Sequence, residues 1–243
     1  MDAFGSSFAQ AWQLLAQLDA GLVQIVSRSL VVSATACAIA CAMGIAIGAW
    51  LGVARFRGRG VVLTVLNTTL ALPSVVVGLV VYVLLSRSGP FGALGWLFSL
   101  KAMIVAQTIL VLPVATALTR QVVEDVESAH GEQLRSLGAG VAMRGFLIAW
   151  DERYALLTVV IACFGRAVSE VGAVMIVGGN MEGFTRVMTT AIALETSKGD
   201  LPLALALGIL LLTVVLALNA LIAVVRRWRV QRIDQPALAG AAV

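Results

Sequence analysis

Residues 30–53, LVVSATACAIACAMGIAIGAWLGV, run for 24 positions without an Asp, Glu, Lys, Arg or His. A helix needs about 20 apolar residues to cross the hydrocarbon core of a bilayer, where every backbone polar group must be satisfied within the segment. The stretch therefore predicts a membrane-spanning helix. Four further stretches have the same character: approximately Val61–Leu85, Ala102–Leu118, Tyr154–Val177 and Leu203–Val225. Only the fourth span of the five carries charge, at Arg166 and Glu170. The composition agrees, with 60% hydrophobic and 12% charged residues and a mean hydropathy of +0.99. A soluble domain would be about half apolar and a quarter charged. The expectation is an all-α integral membrane protein, a five-span helical bundle forming one domain over residues 1–243.

Working outward, residues 1–28 read as an outer, interfacial segment before the 30–225 membrane core. In Ser6–Leu18 the apolar Phe8, Ala11, Trp12 and Leu15 share one helical face, with Gln10, Gln13 and Gln17 elsewhere, which predicts a helix lying in the interface. Met1–Leu18 has no Lys or Arg and lacks the basic start of a cleavable signal, so the first span is expected to direct insertion. Eleven basic residues gather on one side of the spans: Arg55, Arg57 and Arg59, then Arg120, Arg135, Arg144 and Arg153, then Arg226, Arg227, Arg229 and Arg232. Five fall on the other: Arg28, Arg87, Lys101, Arg186 and Lys198. The positive-inside rule makes the first side cytoplasmic, with the N-terminus outside, a cytoplasmic loop over 120–153 and a basic cytoplasmic tail over 226–243. These arginines flank apolar runs and form no basic helix with interleaved aromatics, so the net charge of +4 argues for a lipid bilayer, not for nucleic acid.

Close helix packing is written into the first span. Ala36, Ala40, Gly44, Gly48 and Gly52 recur every fourth residue, a smooth stripe for another helix to approach. Pro73 and Pro113 should kink the second and third spans, freeing the carbonyls of Thr69 and Ile109. Asn67, Thr68, Gln107 and Thr108 are placed either to satisfy freed groups or to line a wet path. Cys37, Cys41 and Cys163 all lie in apolar stretches and read as small packing residues, without a disulfide framework or a metal site.

The 120–153 loop has its own order. Val122, Val123, Val126 and Ala129 keep helical spacing, with Glu124, Asp125 and Glu127 on other faces, so the third span should continue beyond the membrane and break at Gly131. A short second helix is expected from Glu132 to Gly140. Glu132-Gln133-Leu134, three residues, Gly138, nine residues and Ile148 keep the full spacing of the Glu-Ala-Ala…Gly…Ile-x-Leu-Pro signature. In this the chain resembles bacterial ABC importer permeases of the type I class. Gln133 and Leu134 replace the two alanines, and Trp150-Asp151 replaces Leu-Pro. The resemblance implies a cytoplasmic coupling helix seated on an ATPase subunit, with Glu132, Leu134, Arg135, Ser136, Leu137, Gly138, Ala139 and Ile148 as the coupling interface.

A narrower match follows. Arg166-Ala167-Val168-Ser169-Glu170-Val171-Gly172-Ala173, continuing to Gly178-Gly179-Asn180, resembles molybdate, sulfate and tungstate permeases, and the Ser-Glu-Val-Gly-Ala wording with Thr185–Thr196 after it is most similar to the tungstate group. It implies a permease subunit of an oxyanion importer, a homodimer served by two ATPase subunits and an external oxyanion-binding protein, in the bacterial inner membrane. It also implies that the chain itself has no catalytic residues and no cofactor.

Arg166, Ser169, Glu170 and Asn180 are the candidates for the translocation path or gate. Arg166 and Glu170 are four apart and share a helix face. A charge at that depth is costly unless paired or wetted, so both readings, a structural pair and a path element, stay open. Thr189, Thr190 and Thr196 offer hydroxyls near the outer surface, Asp200 should cap the last span, and Pro202 should stand in its first turn. A phosphate-cradling loop needs lysine after glycine, but Lys101 and Lys198 follow Leu100 and Ser197, so the ATPase must be a separate chain. The sole histidine, His130, reads as a solvated loop residue.

Overall fold

The computed structural model describes residues 12–13 and 20–239, with side chains as far as Val224. The predicted interfacial helix Ser6–Leu18 lies outside the described residues, apart from Trp12 and Gln13, which are helical. Among the described residues there are nine α-helices: α1 (Ala20–Val53), α2 (Arg59–Leu70), α3 (Ser74–Leu85), α4 (Leu100–Ser136), α5 (Val141–Asp151), α6 (Arg153–Val168), α7 (Gly172–Gly178), α8 (Met188–Lys198) and α9 (Leu201–Ala239). A single 3-10 turn, Gly92–Leu94, stands between α3 and α4. α1, α4 and α9 are each long and apolar enough to cross a membrane, and the bent pairs α2 with α3 and α6 with α7 raise the number of candidate crossings to five. These are the five expected stretches.

The differences lie in the breaks. Pro73 does more than kink its span. Helix stops at Leu70, and Pro73, at φ −62° and ψ 128°, is the extended residue from which α3 starts. Pro113 instead lies inside an unbroken α4. Residues close to it, Val111 and Ala115, are buried, whereas Leu72 beside Pro73 is exposed, so the helix that continues is the one with buried neighbours on both sides of its proline. Thr68 and Thr108 donate to the carbonyls of Thr64 and Ile104 one turn back, and neither reaches the carbonyls freed by proline. α4 also passes straight through Gly131, where a break was expected, and ends at Ser136, so the separate short helix expected from Glu132 to Gly140 does not form. Its 37 residues span about 55 Å at 1.5 Å per residue, well beyond a hydrocarbon core of about 30 Å. The last helix opens as expected: the Leu203 N–H donates to Asp200 Oδ1 at 3.2 Å, and Pro202 stands in the first turn.

The chain divides into two compact units, residues 1–39, 71–111 and 164–215, and residues 40–70, 112–163 and 216–243. In the first, Val32, Val81, Met103, Ala106, Val174 and Val177 form one core cluster, and Leu22, Val168, Met188, Ala191 and Leu207 a second. α3 buries Val77, Gly78 and Val81 but exposes Val75, Val76, Leu79, Val80 and Val83. A helix apolar all round belongs in lipid or deep in an assembly, since leaving each such side chain in water forfeits about 1.5–3 kcal/mol. In the second unit the predicted small-residue stripe packs on α4. A Cβ at Gly44 would lie 2.6 Å from that of Ala115, and one at Gly48 would lie 2.6 Å from the Thr116 carbonyl oxygen. Ala49, Val53, Val123 and Ile148 continue this contact as a core.

Candidate functional site

The fourth crossing is broken at its charged residues. α6 ends at Val168, α7 begins at Gly172, and the two meet at a bend of 57°. The Arg166 guanidinium donates to Glu170 Oε2 at 2.8 Å, and the Ala173 N–H, in the first turn of α7, donates to Oε1 at 3.3 Å. Thr189 of α8 donates to the Glu170 carbonyl at 2.7 Å. Gln107 of α4 donates to the Ala167 carbonyl at 3.0 Å. Glu170 thus fastens the break through both its side chain and its backbone. Its side chain is 4% exposed and that of Arg166 is 44% exposed. The carboxylate is enclosed and neutralised, whereas the guanidinium keeps an open side. A planar cation with spare N–H donors in that position can receive an anion.

Ser169 turns its hydroxyl back to the Arg166 carbonyl at 3.1 Å. Asn180 stands apart, with φ +48°, and its amide donates to the Thr190 carbonyl at 3.2 Å. Arg166, Ser169 and Glu170 therefore meet at one break, and Asn180 ties the following loop to α8. The hydroxyls of Thr189 and Thr190 are also spent internally, on Glu170 and Val187.

The second place is the end of α4. The Gly138 N–H donates to the Arg135 carbonyl at 2.9 Å, and the Ala139 N–H to the Leu134 carbonyl at 3.1 Å. Gly138 has φ +80°. Together these form a Schellman ending, which requires a left-handed residue at this position and so favours glycine. α5 begins at Val141, after Ala139 and Gly140. Glu132, Arg135, Ser136, Leu137 and Gly138 are exposed around this elbow, and Ala139 is half-buried. Leu137 is 82% exposed, so the tip of the elbow carries a large apolar side chain. Leu134 is half-buried and packs on the cluster that holds the buried Ile148. The expected interface residues thus divide into an exposed tip and two side chains that seat it.

Ion pairs between residues far apart in the sequence brace this extension. Past Leu118, where the apolar stretch ends, Glu124 receives Arg55 at 3.2 Å, Arg59 at 2.9 Å and Arg120 of the preceding turn. Burial raises its pKa, but the hydrogen bonds from Arg55 and Arg59 and the charges of Arg59 and Arg120 outweigh it and hold the carboxyl below its ordinary value.

Residues 44–235, which include both the elbow and the break, match the family described as binding-protein-dependent transport system inner membrane component. The chain belongs to this family. Among inner membrane components of this kind it is 42% identical to the tungstate uptake system permease protein TupB of Peptoclostridium acidaminophilum, over 91% of this chain and 97% of that one. It is 43% identical to a probable anion ABC transporter permease protein of Haloferax volcanii, over 82% of this chain and 88% of the other. With TupB of Campylobacter jejuni it shares 36% over 90% and 92%. Permeases of sulfate and molybdenum transport systems match at 28–31%.

For an inner membrane component, the buried charges that no local spacing marks are as telling as those at the break. Glu127 and Arg144 are buried beside the elbow. Glu195 is buried with Arg186 at 3.6 Å and Lys198 at 3.0 Å. Helical spacing placed Glu127 off the apolar face. The available signal was Gly131 one turn later, a small residue that leaves room for a side chain to lie along the helix.

Proposed function

We propose that this chain is the permease subunit of an ATP-driven tungstate importer, working as a homodimer with two ATPase subunits and an external oxyanion-binding protein. The single observation that carries the coupling role is the exposed elbow Glu132–Gly138, rigidly ended and projecting well past the apolar part of α4. A rigid tip can pass a partner's rotation to the membrane helices, which a flexible loop would absorb. The charge distribution supports an elbow on the cytoplasmic side, with the N-terminus outside and the C-terminus inside. Substrate choice rests on the similarity to tungstate uptake permeases over nearly the whole chain.

In this reading Glu170 is the brace of the broken fourth crossing and Arg166 offers its open side to the passing oxyanion. Ser169 shapes the break, and Asn180 holds the outer loop. The chain makes and breaks no bonds, and ATP hydrolysis belongs to the partner.

Reconstitution in proteoliposomes with the ATPase and the binding protein tests this. Tungstate-loaded binding protein should stimulate ATP turnover and uptake more than the molybdate- or sulfate-loaded forms. Preference for molybdate or sulfate would move the substrate within the group. Uptake that proceeds without ATP would overturn the importer reading in favour of a channel or secondary transporter.

A further inference from the structure

We propose that Glu127 is the positioning residue that fixes the angle of the elbow, an inference that rests on reading Glu132–Gly138 as the ATPase contact. Its carboxylate is 1% exposed, although it lies on a helix extension otherwise rich in solvated charge. Oε1 receives Arg135 at 2.9 Å and lies 3.3 Å from Arg144 Nε. Those two arginines stand on opposite sides of the turn: Arg135 in the last turn of α4, Arg144 on α5. Arg144, itself buried, also donates from its other nitrogen to the Ala139 carbonyl at 3.0 Å. One buried carboxylate therefore holds both arms of the elbow, and one of its arginines holds the loop between them.

The room for this is reserved in the backbone. A Cβ on Gly131 would lie 2.7 Å from the Glu127 carboxyl carbon and 2.8 Å from Oε1. Gly131 is inside a helix and needs no left-handed backbone, so close approach of the carboxylate is the reason glycine suits it. Without the tie, the left-handed step at Gly138 is the natural hinge, and a push on the tip would bend the elbow instead of moving α4.

The test uses the full transporter and measures ATP hydrolysed per tungstate taken up. Glu127→Gln removes the charge that holds both arginines, and Gly131→Ala displaces the carboxylate while keeping it. Both should still co-purify with the ATPase and both should raise the ratio roughly fivefold or more, the low end of typical coupling effects. Glu127→Asp, which keeps a carboxylate, should restore part of the coupling. A role confined to folding would lower the yield of both variants and leave the ratio of the recovered complex at the wild-type value, and that result would overturn the proposal. The reading beneath it fails separately: a Leu137→Cys permease with Glu127 intact that never cross-links to the ATPase removes the contact itself, whereas cross-linking together with an unchanged ratio removes only the role of Glu127.

Discussion

Replacing Gly48 with leucine should sharply lower the yield of folded permease in the membrane. The Cβ alone would lie 2.6 Å from the Thr116 carbonyl oxygen, 2.8 Å from the Thr119 Cβ and 3.0 Å from the Arg120 amide nitrogen. Two of those three atoms are helix backbone and cannot swing away as a side-chain end can. Overpacking a core commonly costs about 1–3 kcal/mol, and against rigid backbone the cost belongs at or above the top of that range. A loss of that size is a large fraction of a total stability of about 5–15 kcal/mol. Gly48→Ala should already lower the yield of detergent-stable protein and its melting temperature. Gly60→Leu is the matched control, because nothing lies within 4 Å of a Cβ there. Equal yields for the Gly48 and Gly60 variants, measured by gel filtration after extraction, would show that the α1–α4 contact is not as close as described.

Glu170→Ala should give the second large effect. It removes the acceptor for Arg166 and for the Ala173 N–H at once. Breaking a buried pair costs about 3–5 kcal/mol, and the half-exposed Arg166 can recover hydration, so about 2 kcal/mol is the expected loss. Glu170→Gln keeps an acceptor at the start of α7 but loses the charge, and it should assemble with reduced stability and transport. Wild-type transport by that variant would dispose of both roles considered for the pair. The double variant Arg166→Gln/Glu170→Gln then separates them. If Arg166 offers its open side to the oxyanion, uptake falls about tenfold or more, since a hydrogen bond to a charged group is worth about 1.5–3 kcal/mol. If the two residues only brace each other, the neutral pair transports at close to the wild-type rate.

The crossings and the α1–α4 stripe were legible because they depend on runs of residues and on fixed helical spacing, which a sequence displays directly. The breaks were not, because glycine and proline act through what surrounds them. Gly131 and Gly138 look alike in the sequence. One stays helical because a carboxylate needs the space of its missing side chain, and the other ends the helix in a left-handed turn. Pro73 and Pro113 divide in the same way, and only Pro113 has buried neighbours on both sides. The Arg166–Glu170 pair was visible as an i, i+4 spacing. The interruption of the helix between Val168 and Gly172 has no proline to announce it. The burial of Glu127 was not legible because its partners Arg135 and Arg144 lie eight and seventeen residues along the chain, beyond the reach of local spacing.

The most direct test of the account places a cysteine at Leu137, an exposed residue of the elbow, in a background where Cys37, Cys41 and Cys163 are buried. The transporter would be treated in sealed cells with a membrane-impermeant thiol reagent, and in open membranes with a short bifunctional cross-linker. The account predicts no labelling from outside and a cross-linked product containing the ATPase, its yield changing when ATP is added. Labelling from outside, or a Leu137→Cys permease that transports normally and never joins the ATPase, would contradict it.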